Sequence, residues 1–281
     1  MTTRGSPLYD AGGGGPPPLS VEVAGLSDTG RRRTENQDSI LLWDFSRAQA
    51  LEAGPVHQGG SLLVAVCDGM GGEGGGELAS QIAAERILAH ARERFRSVYL
   101  TDPTGSDRWL GEGIDEANRA VLAGQKKSPE LKTMGSTATV VGFLAGQMIW
   151  AHVGDSRAYH LRGGRLRQLT VDHSFVGRLV ATGQITAEEA RVHENRNLLT
   201  QAVGTAPSLE VDTGSIPVQA GDRILVCSDG LYDMVAEEPI LSVLEEEVAA
   251  SAQCEKLVTV ANVNGGFDNI SVIVAHVTSE E

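Results

Sequence analysis

Aspartates set at the edges of short apolar runs constrain this 281-residue chain more than any other feature. Val64-Ala65-Val66-Cys67-Asp68-Gly69-Met70-Gly71-Gly72 passes from strand formers through one acid into glycine. Apolar residues bounded by turn formers read as a buried strand. Asp68 then sits at its end, because an ionised carboxylate inside a core is very costly. Ile224-Leu225-Val226-Cys227-Ser228-Asp229-Gly230 repeats the design, and Ile149 to Arg157, which carries Asp155, repeats it more loosely. Asp268 stands just before the apolar run Ile270 to Val274. Carboxylates delivered by several strand ends to one place repel unless a cation holds them. The pattern points to a hard-metal site built from separate strands.

These acids lie tens of residues apart, so no continuous calcium loop uses them; such a loop needs its ligands within about 12 residues. Oxygen ligands alone favour magnesium, manganese or calcium over zinc. A carboxylate bridging two ions lets the pair activate one water against a phosphate ester. Arg33, beside the acid-bearing strand, could grip a phosphoryl oxygen bidentately. Any single Asp-Gly is a turn signal, and weight comes only from their joint appearance.

Composition narrows the alternatives. Net charge is −14, from 23 basic and 37 acidic residues, which argues against a general nucleic-acid or anionic-membrane binder. No run approaches the roughly 18 apolar residues that span a bilayer, and no apolar signal-peptide core opens the chain. Cys67, Cys227 and Cys254 have no CxxC spacing, and two lie in apolar strands, so they read as buried thiols. A cytoplasmic setting is expected.

Residues 1–18 contain Gly12-Gly13-Gly14-Gly15-Pro16-Pro17-Pro18 and are expected to form a disordered tail. The remainder, 19–281, reads as one domain. Strands are expected at Ser20–Gly25, Ser39–Trp43 and Leu62–Cys67, with a surface loop over 44–60. Helical spacing covers Glu77–Arg96 and Trp109–Leu122. Short strands at Thr137–Phe143, Met148–Val153, Ala158–Leu161 and Leu166–Leu169 read as an antiparallel meander. An insert over 172–204 carries two helix-like pieces, Phe175–Thr182 and Ala187–Val192. Strands return at Leu209–Ile216 and Arg223–Cys227, then helices near Glu237–Ala250 and Ala252–Val263, then the strand Asn269–Val277. Packed sheets flanked by helices follow as the architecture.

Gly69 to Gly76 lacks the Gly-Lys-Ser/Thr of a phosphate loop and the βαβ setting of a dinucleotide fold. A magnesium-dependent nucleotide binder is thus poorly supported. His152 and His160 alternate with apolar residues and read as structural. His173 either caps a helix or lines the cleft. Ser136 and Thr137 lack the histidine and acid that a serine nucleophile needs. Arg31 and Arg32 read as solvated or substrate-steering.

Six ordered motifs carry a family resemblance: Arg33-Thr34-Glu35-Asn36-Gln37-Asp38, Val66 to Gly72, Met134-Gly135-Ser136-Thr137, Val153-Gly154-Asp155-Ser156-Arg157, Cys227-Ser228-Asp229-Gly230-Leu231 and Phe267-Asp268-Asn269. Over about residues 20–277 the chain resembles bacterial metal-dependent serine/threonine protein phosphatases of type 2C. The resemblance implies an α+β fold, a four-layer α-β-β-α sandwich of two mainly antiparallel sheets flanked by helices. It implies hydrolysis of phosphoserine and phosphothreonine by a metal-activated water. Two Mn2+ or Mg2+ ions would occupy the core site, with a third near Asp155. By position, Asp68 resembles the bridging ligand and Gly69 a ligand through its carbonyl. Asp229 and Asp268 resemble ligands of the first ion, and Asp38 the acid that orders a metal-bound water. Arg33 resembles the phosphate-binding arginine, and residues 172–204 the flap bordering the cleft. Implied partners are phosphoproteins, with a serine/threonine kinase and its substrates, and the chain is expected to act as a monomer.

Three positions depart from the pattern. Gln37 stands where the family often has glutamate. Met70 stands where animal relatives have the histidine proposed as leaving-group acid, which leaves a metal-bound water as the substitute. His193-Glu194 replaces the His-Pro of many bacterial relatives. A second reading therefore stays open, a phosphatase-like domain without turnover that binds phosphoproteins or regulates a partner.

Overall fold

In the computed structural model, residues 19–72, 74–101, 108–127 and 131–279 are described; the expected tail, 1–18, lies outside them. The chain begins with β1 (Leu19–Asp28), β2 (Asp38–Asp44), β3 (Gln49–Ala50), β4 (His57–Gly59) and β5 (Leu62–Met70). Two long helices, α1 (Gly75–Thr101) and α2 (Arg108–Lys127), precede β6 (Gly135–Ser136), β7 (Ala138–Leu144) and β8 (Gln147–Val153). Next come β9 (Arg157–Arg162), β10 (Arg165–Gln168), α3 (Phe175–Ala181), α4 (Ala187–Arg191) and β11 (Asp212–Pro217). The chain ends with β12 (Arg223–Cys227), α5 (Asp229–Tyr232), α6 (Glu237–Glu245), α7 (Ala250–Val263) and β13 (Ile270–Ser279).

One sheet has the order β10-β9-β12-β13-β1-β4 and the other β11-β8-β7-β5-β2-β3, with β6 paired to β5. The central pairings are antiparallel. Successive residues of a strand face opposite ways, and here both faces are covered. Leu63, Ala65 and Cys67 of β5 pack with Ile87, Trp109 and Ile114 of α1 and α2. Leu62, Val64 and Val66 instead meet Ile224, Val226 and Ile273 of the opposite sheet. The far faces of β12 and β13, through Leu225, Cys227 and Val274, pack on Leu257 and Ala261 of α7. Strands buried on both faces read as continuous apolar runs, which is why the sequence shows them so clearly. Each fully buried Leu, Ile or Val among them contributes about 1.5–3 kcal/mol. The result is the expected α-β-β-α sandwich.

Several expectations need correction. The four strands read as one meander divide between the sheets, β7 and β8 in one, β9 and β10 in the other. Gly154, at φ +111°, makes the crossing; a Cβ there would lie 2.6 Å from the Thr137 side chain. The 44–60 loop contains β3 and β4. Strand β11 starts at Asp212, because Leu209 and Val211 pack against the α1–α2 core instead. Helix α6 stops at Glu245, where Glu246 turns extended. The cysteines are buried free thiols, as expected.

Candidate metal centre

Sheet register brings the acids together. Asp38 opens β2 and lies directly opposite Asp68 of β5, although like charges in that position destabilise a sheet. Strand β5 runs two residues beyond Asp68, pairing Gly69 with Ser136, so Asp68 lies within the strand and not at its end. From the other sheet, Asp229 follows β12 and Asp268 precedes β13. Asp155 sits in the turn by which the chain crosses from β8 to β9. Arg33 lies in another crossing, β1 to β2, and its Nη2 donates to Asp268 Oδ2 at 2.6 Å.

Electrostatics shows that these carboxylates share one space. Burial holds Asp68 well above the ordinary carboxylate range, and the charges of Asp38, Asp229, Asp155 and Asp268 add to it. Asp229 is raised in the same way, by burial and then by Asp155 and Asp268. Burial lifts Asp38 to about 6, against hydrogen bonds from Ser271 and Ser228. Asp155 rises to about 7 through burial and then the charge of Asp172. Asp38 Oδ1 and Asp229 Oδ1 are buried without a hydrogen-bond partner, a cost that native structures normally avoid. Arg33 is held above its usual range by the Asp268 hydrogen bond and by the charges of Asp229 and Asp68.

Residues outside the expected ligand set fix this geometry, among them Ser156 and Arg157, expected to stabilise the Asp155 loop. Ser228 Oγ donates to Asp38 Oδ2 at 2.8 Å and accepts from Ser271 N at 3.0 Å. Thr137 Oγ1 accepts from Asp68 N at 2.8 Å and bonds Ser156 Oγ at 2.7 Å. The Asp155 loop is thereby tied to the Asp68 strand. Asn269 Oδ1 accepts from Gln37 N, while its Nδ2 donates to Thr29 O and Glu35 O. Arg157 makes a bidentate pair with Asp172, its guanidinium 3.6 Å from the centroid of the Tyr232 ring. The Tyr232 hydroxyl in turn donates to Asp155 O at 3.0 Å. A polar residue beside an apolar strand end was the only signal for Ser228; nothing local pointed to Tyr232.

The departures from the family pattern have local explanations. Gln37 Nε2 donates to Gly71 O at 3.4 Å, and Gln37 O accepts from Gly69 N and Ser80 Oγ. Gln37 thus braces the glycine segment, and the close approach of that segment requires Gly69. A Cβ at Gly69 would lie 2.1 Å from Gly76 O and 2.5 Å from Gln37 O. Met70 packs toward Gly135. His173 does not cap α3; Ser174 does. His173 is buried, accepts from Gly154 N and faces Asp212 at 3.2 Å. His152 bonds Thr139 Oγ1 and Val171 O, and His160 pairs with Asp222, both structural as expected. The 172–204 insert and α5 enclose a cavity of about 600 Å³ whose walls include Asp155 and Asp229.

The donor set fits divalent hard cations. Buried oxygens without partners, and carboxylates raised above their ordinary range by burial and then by neighbouring charge, are the groups that a bound cation would satisfy. Among the described residues no three His, Cys, Asp or Glu side chains close into one coordination shell. Magnesium-like ions retain several waters and take only one or two carboxylates directly, so an open arrangement suits them.

Comparison with known proteins follows the same line. The family profile described as Protein phosphatase 2C matches residues 32–261. The serine/threonine phosphatase stp of Listeria welshimeri is 35% identical over 248 residues, 88% of this chain and 92% of the relative. The crystal structure of the Mycobacterium tuberculosis serine/threonine phosphatase PstP/Ppp is 36% identical with a TM-score of 0.76, covering 92% of this chain and 98% of that one. A PstP catalytic domain in complex with two manganese ions is 35% identical with a TM-score of 0.75, covering 92% and 99%.

Proposed function

Since this chain belongs to the protein phosphatase 2C family and is a metal-dependent serine/threonine protein phosphatase, we propose how its residues divide the work. The observation that carries the assignment is the register that sets Asp38 opposite Asp68, with buried oxygens of Asp38 and Asp229 left without hydrogen-bond partners. Asp68 and the Gly69 carbonyl would help to hold the Mn2+ or Mg2+ ions. Asp229 and Asp268 would hold the first ion, and Asp155 would support a third. The two manganese ions of the related PstP domain support the pair in the core site. When bound, the ions supply Lewis acidity and lower the pKa of a water to the neutral range.

The chain's own groups do the positioning. Asp38, fixed by Ser228 Oγ, accepts a hydrogen bond from the nucleophile and sets its direction. Arg33 offers two N–H groups to phosphoryl oxygens, a geometry that its planar fork favours. The 172–204 flap bounds the substrate side. Phosphoserine and phosphothreonine proteins are the substrates, with a serine/threonine kinase and its targets as partners in cytoplasmic signalling, and the chain acts as a monomer. Among the described residues no helix is long and apolar enough to cross a membrane.

The test is hydrolysis of p-nitrophenyl phosphate and a phosphothreonine peptide by metal-stripped protein titrated with Mn2+ and Mg2+. Turnover should rise with metal and vanish in Asp68→Asn and Asp229→Asn. Metal-independent turnover, or full activity in either variant, would overturn the assignment.

A further inference from the structure

We propose that Arg31, Arg32 and Phe267 form a docking platform for an acidic stretch flanking the phosphorylated residue of the substrate. The proposal rests on the phosphatase reading above and names the substrate class that this site prefers.

It starts from a local contradiction of charge. The chain carries a net charge of −14, yet Arg31, Arg32 and Arg33 stand together and exposed at the rim of the metal centre. Arg33 is engaged by Asp268. Among the described residues, Arg31 and Arg32 form no ion pair. The Arg32 guanidinium instead lies 5.4 Å from the centroid of the Phe267 ring, within cation–π range. Phe267 is 54% exposed, immediately before Asp268. A large ring left open to solvent beside two unneutralised cations is not explained by core packing.

The platform is also firmly built. Arg31 N and Arg32 N both donate to Gly266 O, at 2.7 and 3.2 Å. Asp28 Oδ1 accepts from Gly30 N at 2.8 Å and from Asn262 Nδ2 at 3.0 Å. Gly266 has φ +52°, and a Cβ there would lie 2.9 Å from Arg31 N. Two turns are therefore locked face to face, and Asn269 braces both ends of the 29–35 segment. A preorganised surface loses little freedom when it binds a peptide.

Charge complementarity selects the occupant. At long range this chain repels acidic proteins, so an acidic substrate needs a positive entry point near the reacting group. An extended peptide advances about 3.3–3.6 Å per residue. With the phosphoryl group at Arg33, an Asp or Glu one or two residues away reaches Arg31 or Arg32. There it gains charge-assisted hydrogen bonds, and its methylenes pack on Phe267. A Lys or Arg at the same place meets two like charges.

Three phosphothreonine peptides test this, identical except for flanking pairs of Glu, Gln or Lys, assayed with Mn2+ at low ionic strength. The native chain should favour the Glu peptide over the Lys peptide by about fivefold in kcat/KM, mostly through KM, as expected for two exposed charge contacts. The ratio should fall toward one in Arg31→Ala/Arg32→Ala, shrink in Phe267→Ala and decline with added salt. A native ratio of one or less, or an unchanged ratio in the double variant, overturns the platform. p-Nitrophenyl phosphate separates the two levels, because it has no flanks. Metal-dependent turnover of it alongside a flat peptide ratio refutes the platform alone, and absence of that turnover overturns both.

Discussion

Asp155→Asn should stabilise the metal-free protein, and the gain should grow with pH. Asp155 is 9% exposed, and its pKa rises from 3.8 to about 7 through burial and then the charge of Asp172. In the unfolded chain it ionises near 3.8, so from there up to about pH 7 the unfolded state holds fewer protons and gains relative to the native one. Raised carboxylates therefore weaken the fold as pH rises, the reverse of a salt-bridged acid. One pKa unit corresponds to about 1.4 kcal/mol, and the part falling between pH 5 and pH 7 is about 2 kcal/mol. The amide preserves shape and removes this penalty. His152, lowered by burial to about 3, imposes the opposite slope below pH 6.5, but it is present in both chains and cancels in their difference. Urea unfolding of chelator-treated native and variant protein at both pH values measures the effect. The variant's advantage should increase by about 2 kcal/mol on going from pH 5 to pH 7, and Mn2+ should erode it. An advantage that stays constant, or falls with pH, would refute the reasoning.

Gly69→Ala should cost about 3 kcal/mol or more, because its Cβ would lie 2.1 Å from a backbone oxygen; thermal unfolding should show a drop of about 6–12 °C, and calorimetry a loss of Mn2+ binding. Arg157→Lys keeps the charge but loses the fork on Asp172 and the face of Tyr232. The expected loss is about 1–3 kcal/mol, read as a lower urea midpoint at unchanged m.

How much of this was legible in the sequence depends on the range of the interaction. Leu62 to Cys67 and Ile224 to Cys227 stood out because they are buried on both faces, so their apolar character is uninterrupted. The aspartates at their edges were legible for the same reason, since charge contrasts most with such runs. The partition of strands between sheets was not legible, because β8 and β9 look alike locally and only the Gly154 crossing, packed against Thr137, separates them. Likewise, Ser228 and Tyr232 act on residues 190 and 77 positions away, and no window of sequence contains both partners. His173 was ambiguous because its neighbour Ser174 supplies the cap, leaving the imidazole to the Asp155 loop.

The placement of the acids across the two sheets has a mechanical consequence. Asp38 and Asp68 belong to one layer, Asp229 and Asp268 to the other, and two of the crossings between layers, β1 to β2 and β8 to β9, carry Arg33 and Asp155. A cation held by these groups acts as a rivet through the seam of the sandwich. Sliding one layer by a single residue would carry half of the ligands about 3.3 Å from the rest. Catalytic competence thus gauges the alignment of the whole body, and a distortion far from the cleft that shifts the layers would silence the enzyme while both sheets remained intact.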